Sequence, residues 1–284
     1  MPKHYEALQR AEQERRRKVS GVDAPPAAAA PPAAFEGAVA PPVEARPSGF
    51  LARLLKGRKT PEVEGANEAN KRRIALLQPD SYVAEQYRSL RGRLDALASQ
   101  RPLKTLAVTS ANSGEGKSTC SVNLATVTAM SVGRNVLLID CDLRRPKVHW
   151  TLGLQPQVGL GEVLLNQATV DDAILKLDGI NLDILPVRSI PSNPSELLAS
   201  PEMRRLIEEV AGRYDRIILD TPACLGLPDA KSVSEICDGL IMVVRAGVTP
   251  QEDVQAALDI LDRRRVVGMV LNGSEATREQ YGYY

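Results

Sequence analysis

An apolar run that leads directly into a glycine-rich turn and then a helical stretch restricts this chain to few folds. The run is LKTLAVTS at 103–110, and residues 111–118, ANSGEGKS, fit the pattern of a small residue, four variable positions and Gly-Lys-Ser. Gly114 and Gly116 let backbone N–H groups turn toward phosphate oxygens, and the following helix adds its positive N-terminal dipole. This order predicts a phosphate-binding loop (P-loop); an ordinary glycine turn is the alternative.

The side chains of this loop suit a nucleotide. Lys117 is placed to reach β- and γ-phosphates, and the Ser118 hydroxyl is a ligand for Mg²⁺. We therefore predict that the loop binds a nucleotide through a continuous set of residues: Ser113, Gly114, Glu115, Gly116, Lys117, Ser118 and Thr119.

Further apolar runs follow the first one, at 135–140, 182–187, 215–220, 239–245 and 266–272. Helical stretches, such as 118–133 and 195–213, separate most of them. Apolar strands without alternation, separated by helices, indicate a parallel sheet that is covered on both faces. The predicted fold class is α/β, a mostly parallel sheet of the P-loop NTPase type, with ligands at the carboxyl ends of the strands.

Two acidic motifs stand at predicted strand ends. LLIDCDLRRP at 137–146 offers Asp140 and Asp142, and DRIILDTPA at 215–223 offers Asp220. A carboxylate at the end of a buried strand typically holds the metal of a P-loop enzyme or its bound water. Three carboxylates exceed what one Mg²⁺ needs, so we predict that Asp142 accepts a proton.

The first 75 residues differ from the rest in charge and composition. They carry 14 Lys and Arg against 9 Asp and Glu, whereas the whole chain has a formal net charge of +1. Residues 21–48 contain seven prolines and ten alanines, a composition typical of a semi-extended linker. We predict a basic segment at 1–20 and a largely disordered linker at 21–69. FLARLLKGRK at 50–59 is either a solvated patch or a contact with lipid or a partner.

Composition also excludes several classes of protein. The near-neutral charge argues against a nucleic-acid partner, and no apolar run approaches the length of about 18 residues that a membrane span needs. No signal peptide is visible. The four cysteines show no CxxC spacing, which favours reduced thiols in the cytoplasm over a zinc site.

Three motifs together resemble the bacterial tyrosine kinases of polysaccharide export: the P-loop at 110–119, LLIDCDLR at 137–144 and IILDTP at 217–222. The resemblance runs from about residue 74 to the end. It implies an ATP-dependent protein-tyrosine autokinase that regulates exopolysaccharide or capsule synthesis. The partition and division-site ATPases, which are also P-loop proteins, carry a lysine where this chain has Asn112.

The resemblance also implies roles for individual residues. Ser118, Asp140 and Asp220 hold Mg²⁺, Lys117 acts with the three carboxylates in catalysis, and Arg144 lies near the phosphates. Asn272 contacts the base, although Asn before Gly is equally a turn signal. Arg245 and Asp229 are further candidates at strand ends.

Two more elements of the resemblance concern assembly and the acceptor. Glu85, Arg88 and Arg91 lie three residues apart on one predicted helical face and would join copies into a ring; a solvated charged face is the alternative. Periodic segments begin at about residue 70, and we predict a kinase domain at 70–275 followed by a tail at 276–284. Three of the seven tyrosines fall in that tail, and we predict that they are phosphorylated in trans: Tyr281, Tyr283 and Tyr284.

The resemblance further implies partners and a location. The partners are a cytoplasmic segment of a membrane polysaccharide co-polymerase, which activates the kinase, and a tyrosine phosphatase. The chain would be cytoplasmic and associated with the membrane through its partner. Two other functions stay open: a partition-type ATPase switch, which Asn112 and the tail disfavour, and a non-catalytic ATP-binding scaffold.

Overall fold

The computed structural model describes residues 72–274. The predicted basic segment at 1–20, the linker at 21–69 and the tyrosine tail at 276–284 lie outside the described residues and stay predictions. The described chain covers nearly all of the predicted domain at 70–275.

Helices and strands alternate through most of this region. The strands are β1 (Thr105–Ser110), β2 (Val136–Asp140), β3 (Leu175–Leu177), β4 (Leu182–Leu185), β5 (Arg216–Asp220), β6 (Gly239–Arg245) and β7 (Val266–Asn272). The helices are α1 (Ile74–Leu77), α2 (Tyr82–Ala98), α3 (Lys117–Ala129), α4 (Val148–Leu152), α5 (Leu160–Leu164), α6 (Val170–Ala173), α7 (Pro194–Ala199), α8 (Pro201–Ala211), α9 (Asp229–Glu235) and α10 (Gln251–Ile260), with a short 3₁₀ turn at Arg263–Arg265.

The strands form one sheet in the order β3-β4-β2-β5-β1-β6-β7. All neighbouring strands are parallel except β3, which runs antiparallel to β4. Every residue of β1, β2 and β5 is buried. Burial on both faces explains why these strands are apolar without alternation. The predicted mostly parallel α/β fold is confirmed.

Two apolar clusters cover the two faces of the sheet. One contains side chains of α1, α2 and α3, and the other contains side chains of α5, α7, α8, α9 and α10. Helix α2 begins at a capped position, because Ser81 Oγ accepts a hydrogen bond from the N–H of Ala84 at 3.2 Å. The sheet therefore has a helical layer on each side.

Two details differ from the sequence-based prediction. The helical stretch predicted at 195–213 is divided between α7 and α8, because a residue before proline is disfavoured in the helical conformation. Ser200 is extended, caps α8 and precedes Pro201. Strand β3 is three residues long and was not predicted, since so short a segment carries no periodicity.

The register brings the carboxyl ends of the central strands together. Asp140 at the end of β2 lies opposite Asp220 at the end of β5, and Arg245 of β6 lies opposite Asn272 of β7. Strand β1, between β5 and β6, ends where the P-loop begins. Within residues 72–274, no helix is both long and apolar enough to cross a bilayer.

Candidate active site

The P-loop joins β1 to α3 with two glycines in left-handed conformations. Gly114 has φ +87° and Gly116 has φ +98°, values that residues with a Cβ rarely adopt. A Cβ on Gly116 would also collide with the side-chain amide of Asn272. These two glycines let the backbone curl over the first turn of α3, as the sequence predicted.

Neighbouring elements hold the loop from outside. The Glu115 carboxylate is buried and accepts hydrogen bonds from the N–H of Asn112 at 3.1 Å and from the Thr249 hydroxyl at 2.6 Å. Asn272 donates its side-chain amide to the Glu115 carbonyl at 2.9 Å, and Arg245 donates to the Gly114 carbonyl at 3.2 Å. Glu115 thus braces the loop with its carboxylate.

Asn112 is the position at which the partition-type ATPases carry a lysine. Its side-chain amide donates to Asp253 Oδ2 at 2.7 Å, so it ties the start of the P-loop to α10. In this chain, Asn112 therefore makes a contact within its own domain.

Lys117 and Asp142 meet at the first turn of α3. Lys117 Nζ lies 3.5 Å from Asp142 Oδ2, and both side chains are about nine-tenths buried. The other oxygen of Asp142 accepts a hydrogen bond from the Arg145 N–H at 3.0 Å. Asp142 therefore connects the P-loop to the segment that follows β2.

Asp140 and Asp220 form the buried floor behind this pair. Asp140 Oδ2 accepts hydrogen bonds from the N–H groups of Lys147 and Val148, each at 3.1 Å. Burial raises the pKa of Asp140 well above its usual range, and the charge of Asp220 adds to the rise. Burial also raises the pKa of Asp220 to about 6, although the Lys117 ammonium limits this effect. Two adjacent buried carboxylates of this kind favour a cation between or beside them.

The donor set at the floor fits Mg²⁺. Asp220 Oδ1 accepts a hydrogen bond from the Ser121 hydroxyl at 3.0 Å, whereas its buried Oδ2 has no hydrogen-bond partner among the described residues. The nearby Ser118 hydroxyl also counters the rise in the pKa of Asp220, so a hydroxyl and a carboxylate lie close together. Within residues 72–274, no three His, Cys, Asp or Glu side chains form a metal-binding group. A hydroxyl beside one or two carboxylates suits Mg²⁺, which usually binds one or two carboxylates and takes its other ligands from phosphate and water.

A cavity of about 310 Å³ opens above the P-loop. Six of the seven predicted nucleotide-binding residues of the loop line it, together with Asp142, Arg245 and Asn272. Three cations that the sequence analysis did not single out also line it: Arg72, Arg145 and Lys147. A cavity of about 840 Å³ lies between α5, α6 and α8, and none of the predicted site residues that the structure describes line it.

Arg144 does not face the cavity that its neighbour Arg145 lines. Its Nε donates to Asp229 Oδ2 at 2.8 Å and its terminal nitrogen donates to Ser195 Oγ at 2.8 Å. Asp229 is fully buried, and its hydrogen bond is the main cause that raises the pKa of Arg144. Arg144 does not line the cavity above the P-loop, so its predicted contact with phosphate stays a prediction.

The three residues predicted for assembly lie on α2, away from the cavity. Arg88 pairs with Glu85 and also donates to the Pro79 carbonyl at 2.6 Å. Arg91 turns onto α3, where it donates to the Val127 carbonyl at 2.7 Å and to Ser131 Oγ at 2.6 Å. Glu85 is the most exposed of the three predicted residues. The tail tyrosines lie outside the described residues.

Comparisons with known proteins agree with these features. A family model described as an AAA domain matches residues 103–263. The tyrosine-protein kinase YwqD of Bacillus subtilis is 39% identical over 214 residues, which are 74% of this chain and 90% of that protein. The succinoglycan biosynthesis transport protein ExoP of Rhizobium meliloti is 32% identical over 231 residues, 75% of this chain but 29% of that protein. Among solved structures, the kinase domain of the Escherichia coli tyrosine kinase ETK matches with a TM-score of 0.68 and 31% identity, over 74% of this chain and 84% of that one.

Proposed function

The chain belongs to the bacterial tyrosine kinase family and is a P-loop protein-tyrosine kinase, and from this premise we propose that it transfers the γ-phosphoryl group of ATP to tyrosines of its own tail. The acceptors are Tyr281, Tyr283 and Tyr284, and one copy phosphorylates another. The observation that carries the proposal is the buried contact between Lys117 and Asp142, 3.5 Å apart at the cavity over the P-loop.

ATP binds with its phosphates in the P-loop. The N–H groups around Gly114 and Gly116 and the N-terminus of α3 face the phosphate oxygens, and Lys117 neutralises charge on the β- and γ-phosphates. Arg245, which already holds the Gly114 carbonyl, lies beside the same cavity. Asn272 borders the cavity at the end of β7, where it contacts the base.

Ser118, Asp220 and Asp140 hold Mg²⁺ at the floor of the site. The unpartnered Oδ2 of Asp220 and the adjacent Ser118 hydroxyl support this assignment. Bound Mg²⁺ supplies positive charge that stabilises the oxygens of the β- and γ-phosphates.

Asp142 accepts the proton of the acceptor phenol. The phenol oxygen forms the new bond to the γ-phosphorus while the bond from that phosphorus to the β,γ-bridging oxygen breaks, which leaves phosphotyrosine and ADP. An ordinary tyrosine has a pKa of about 10, so a carboxylate beside the phenol is needed near neutral pH. The hydrogen bond from the Arg145 N–H orients Asp142 for this role.

The cellular role that we propose is control of exopolysaccharide or capsule synthesis and export. ExoP, a succinoglycan biosynthesis transport protein, is much longer than the part that matches this chain. We infer that a cytoplasmic segment of a membrane polysaccharide co-polymerase activates this kinase and brings it to the membrane. A tyrosine phosphatase reverses the modification, and Glu85, Arg88 and Arg91 assemble the copies into a ring. Nucleic acid is not a partner.

The test is phosphorylation of the tail by the purified full chain with Mg²⁺ and ATP, followed by peptide mass spectrometry. We expect phosphate on Tyr281, Tyr283 or Tyr284 in the wild type and none in Lys117→Met. To test transfer in trans, the Lys117→Met chain is mixed with an active chain whose three tail tyrosines are phenylalanine. Phosphate on the Lys117→Met tail supports transfer between copies.

The same experiment separates the two alternative functions. ATP hydrolysis without tail modification would indicate an ATPase switch, and nucleotide binding without hydrolysis would indicate a scaffold. Either result, if it persists when a co-polymerase cytoplasmic segment is added, contradicts the proposed autokinase.

A further inference from the structure

The cavity over the P-loop carries more positive charge than nucleotide binding by the P-loop requires. In the proposed function, the backbone of the loop and Lys117 already neutralise the phosphates, and a bound Mg²⁺ would add to this charge. Arg145 and Lys147 nevertheless line the cavity and are exposed. At the rim, Arg72 lies over the ring of Trp150, with its guanidinium carbon 5.0 Å from the ring centroid. Cation–π contact of this kind holds an arginine at a defined place.

The backbone of Arg145 and Lys147 is bonded to the carboxylates of the site. The N–H of Arg145 bonds to Asp142 at 3.0 Å, and the N–H of Lys147 bonds to Asp140 at 3.1 Å. The segment that carries both side chains is therefore tied to the proposed proton acceptor. Attacking and leaving oxygens are roughly in line across the transferred phosphoryl group. The segment thus borders the side from which the acceptor phenol approaches.

The carboxylates near these cations already have other partners. Asp142 forms an ion pair with Lys117, and Asp229 forms an ion pair with Arg144. Within residues 72–274, neither Arg145 nor Lys147 makes an ion pair through its side chain. Two exposed positive charges at the mouth of an active site attract an anion from another molecule.

The sequence of the proposed acceptor supplies such an anion. Residues 275–284 read EATREQYGYY, so Glu279 stands two positions before Tyr281 and Glu275 stands further upstream. A phosphate on one tail tyrosine would add a charge of about −1.5 to −2 beside the remaining tyrosines. Arg278 lies between the two glutamates and offsets one of them, so Glu279 is the acidic side chain nearest to the tyrosines before any phosphate is added.

We propose that Arg145 and Lys147 form an acceptor-recognition site that selects tyrosine peptides with acidic residues near the tyrosine, with Arg72 at its rim. The inference rests on the proposed tyrosine-kinase function of the same cavity and adds a substrate class to it.

The experiment compares two fluorescein-labelled peptides, EATREQYGYY and its glutamine form QATRQQYGYY. Their binding to the full chain is measured by anisotropy at low ionic strength with Mg²⁺ and ADP, which do not support transfer. The enzyme variants are the wild type, Arg145→Gln with Lys147→Gln, and a charge-matched control, Lys176→Gln with Arg204→Gln. Both control residues are exposed and lie outside the cavity.

We expect the wild type and the control to bind the acidic peptide about three- to tenfold more tightly than the glutamine form, the range for two exposed ion pairs. The Arg145→Gln, Lys147→Gln variant should bind both peptides weakly and equally. In transfer assays with ATP, the same variant should raise the KM for the acidic peptide and leave the KM for ATP unchanged.

Three binding results would overturn the inference. They are equal binding of the two peptides by the wild type, no saturable binding of either peptide, and a variant that loses ADP affinity instead of peptide affinity. The last result would assign Arg145 and Lys147 to the nucleotide phosphates. If both peptides are phosphorylated with equal KM values, acceptor recognition is rejected and the proposed kinase function stands. If neither peptide is phosphorylated, the result counts against the proposed kinase function.

Discussion

At the scale of one residue, Asp220 shows how burial changes the chemistry of a carboxylate. It is fully buried, one oxygen bonds to Ser121, and the other has no hydrogen-bond partner in the part of the chain that the structure describes. Burial raises its pKa to about 6 against an ordinary value of 3.8. The folded chain therefore holds a proton between about pH 4 and pH 6 that the unfolded chain has already lost. The stability due to this proton is complete below about pH 4 and is lost as the pH rises through about 6.

We predict that Asp220→Asn makes unfolding less dependent on pH. Without Mg²⁺, the variant should match the wild type near pH 4 and exceed its free energy of unfolding by about 1–3 kcal/mol above pH 6, because the amide never ionises. Urea unfolding at several pH values in EDTA measures this. Adding Mg²⁺ and ADP should stabilise the wild type but not the variant. Phosphorylation of the tail should be lost.

The control for this prediction is Asp178→Asn, which changes an exposed carboxylate in the turn between β3 and β4. It should leave the pH profile of unfolding unchanged. A variant Asp220→Asn that is less stable than the wild type at pH 7 in EDTA would contradict the assignment, because the ionised carboxylate would then be stabilising without the metal.

At the scale of elements, α5 illustrates how one glycine allows two segments to meet. A Cβ on Gly159 would lie 2.5 Å from the Arg188 nitrogen and 2.6 Å from the Pro186 carbonyl oxygen. Both are backbone atoms of the segment that follows β4, and Leu160 donates its N–H to that same Pro186 carbonyl at 2.7 Å. Helix α5 begins against this segment because residue 159 has no side chain.

Gly159→Ala should therefore destabilise the domain by about 1–3 kcal/mol, the usual cost of overpacking. The matched control is Gly161→Ala in the same helix, where the nearest atom to an added Cβ is the Ser189 carbonyl oxygen at 3.8 Å, an ordinary contact. Urea denaturation of both variants measures the difference in the free energy of unfolding. If the two variants have equal free energies of unfolding, the segment after β4 moves to accommodate the added Cβ without loss of stability.

At the scale of the whole molecule, sequence patterns predicted what depends on local periodicity and on the order of the strands. Asp140 and Asp220 come together because parallel neighbours end at the same edge of the sheet. The roles of Arg144 and Arg145 were beyond sequence reasoning, since a loop conformation decides which of two adjacent arginines faces the cavity. Arg72 was also missed because it precedes the P-loop by about 40 residues and only tertiary packing brings it to the rim.

Assembly of whole molecules also depends on which charges remain exposed after folding. Glu85 has 60% of its side chain exposed, whereas Arg91 is already bonded to α3. If the predicted ring forms through α2, the exposed part of this set makes contact with the next copy. The contribution of Arg91 is then partly structural within its own copy.

We predict that Glu85→Ala with Arg88→Ala shifts the full chain to smaller species in sedimentation velocity and lowers tail phosphorylation, with unchanged ADP binding, because the cavity is separate from this face of α2. Arg91→Ala should in addition lower the free energy of unfolding by about 1–2 kcal/mol through the loss of two hydrogen bonds. Arg204→Ala, an exposed change on α8, is the control and should alter neither property. Sedimentation of the double variant identical to that of an assembled wild type would place the contact between copies on another surface.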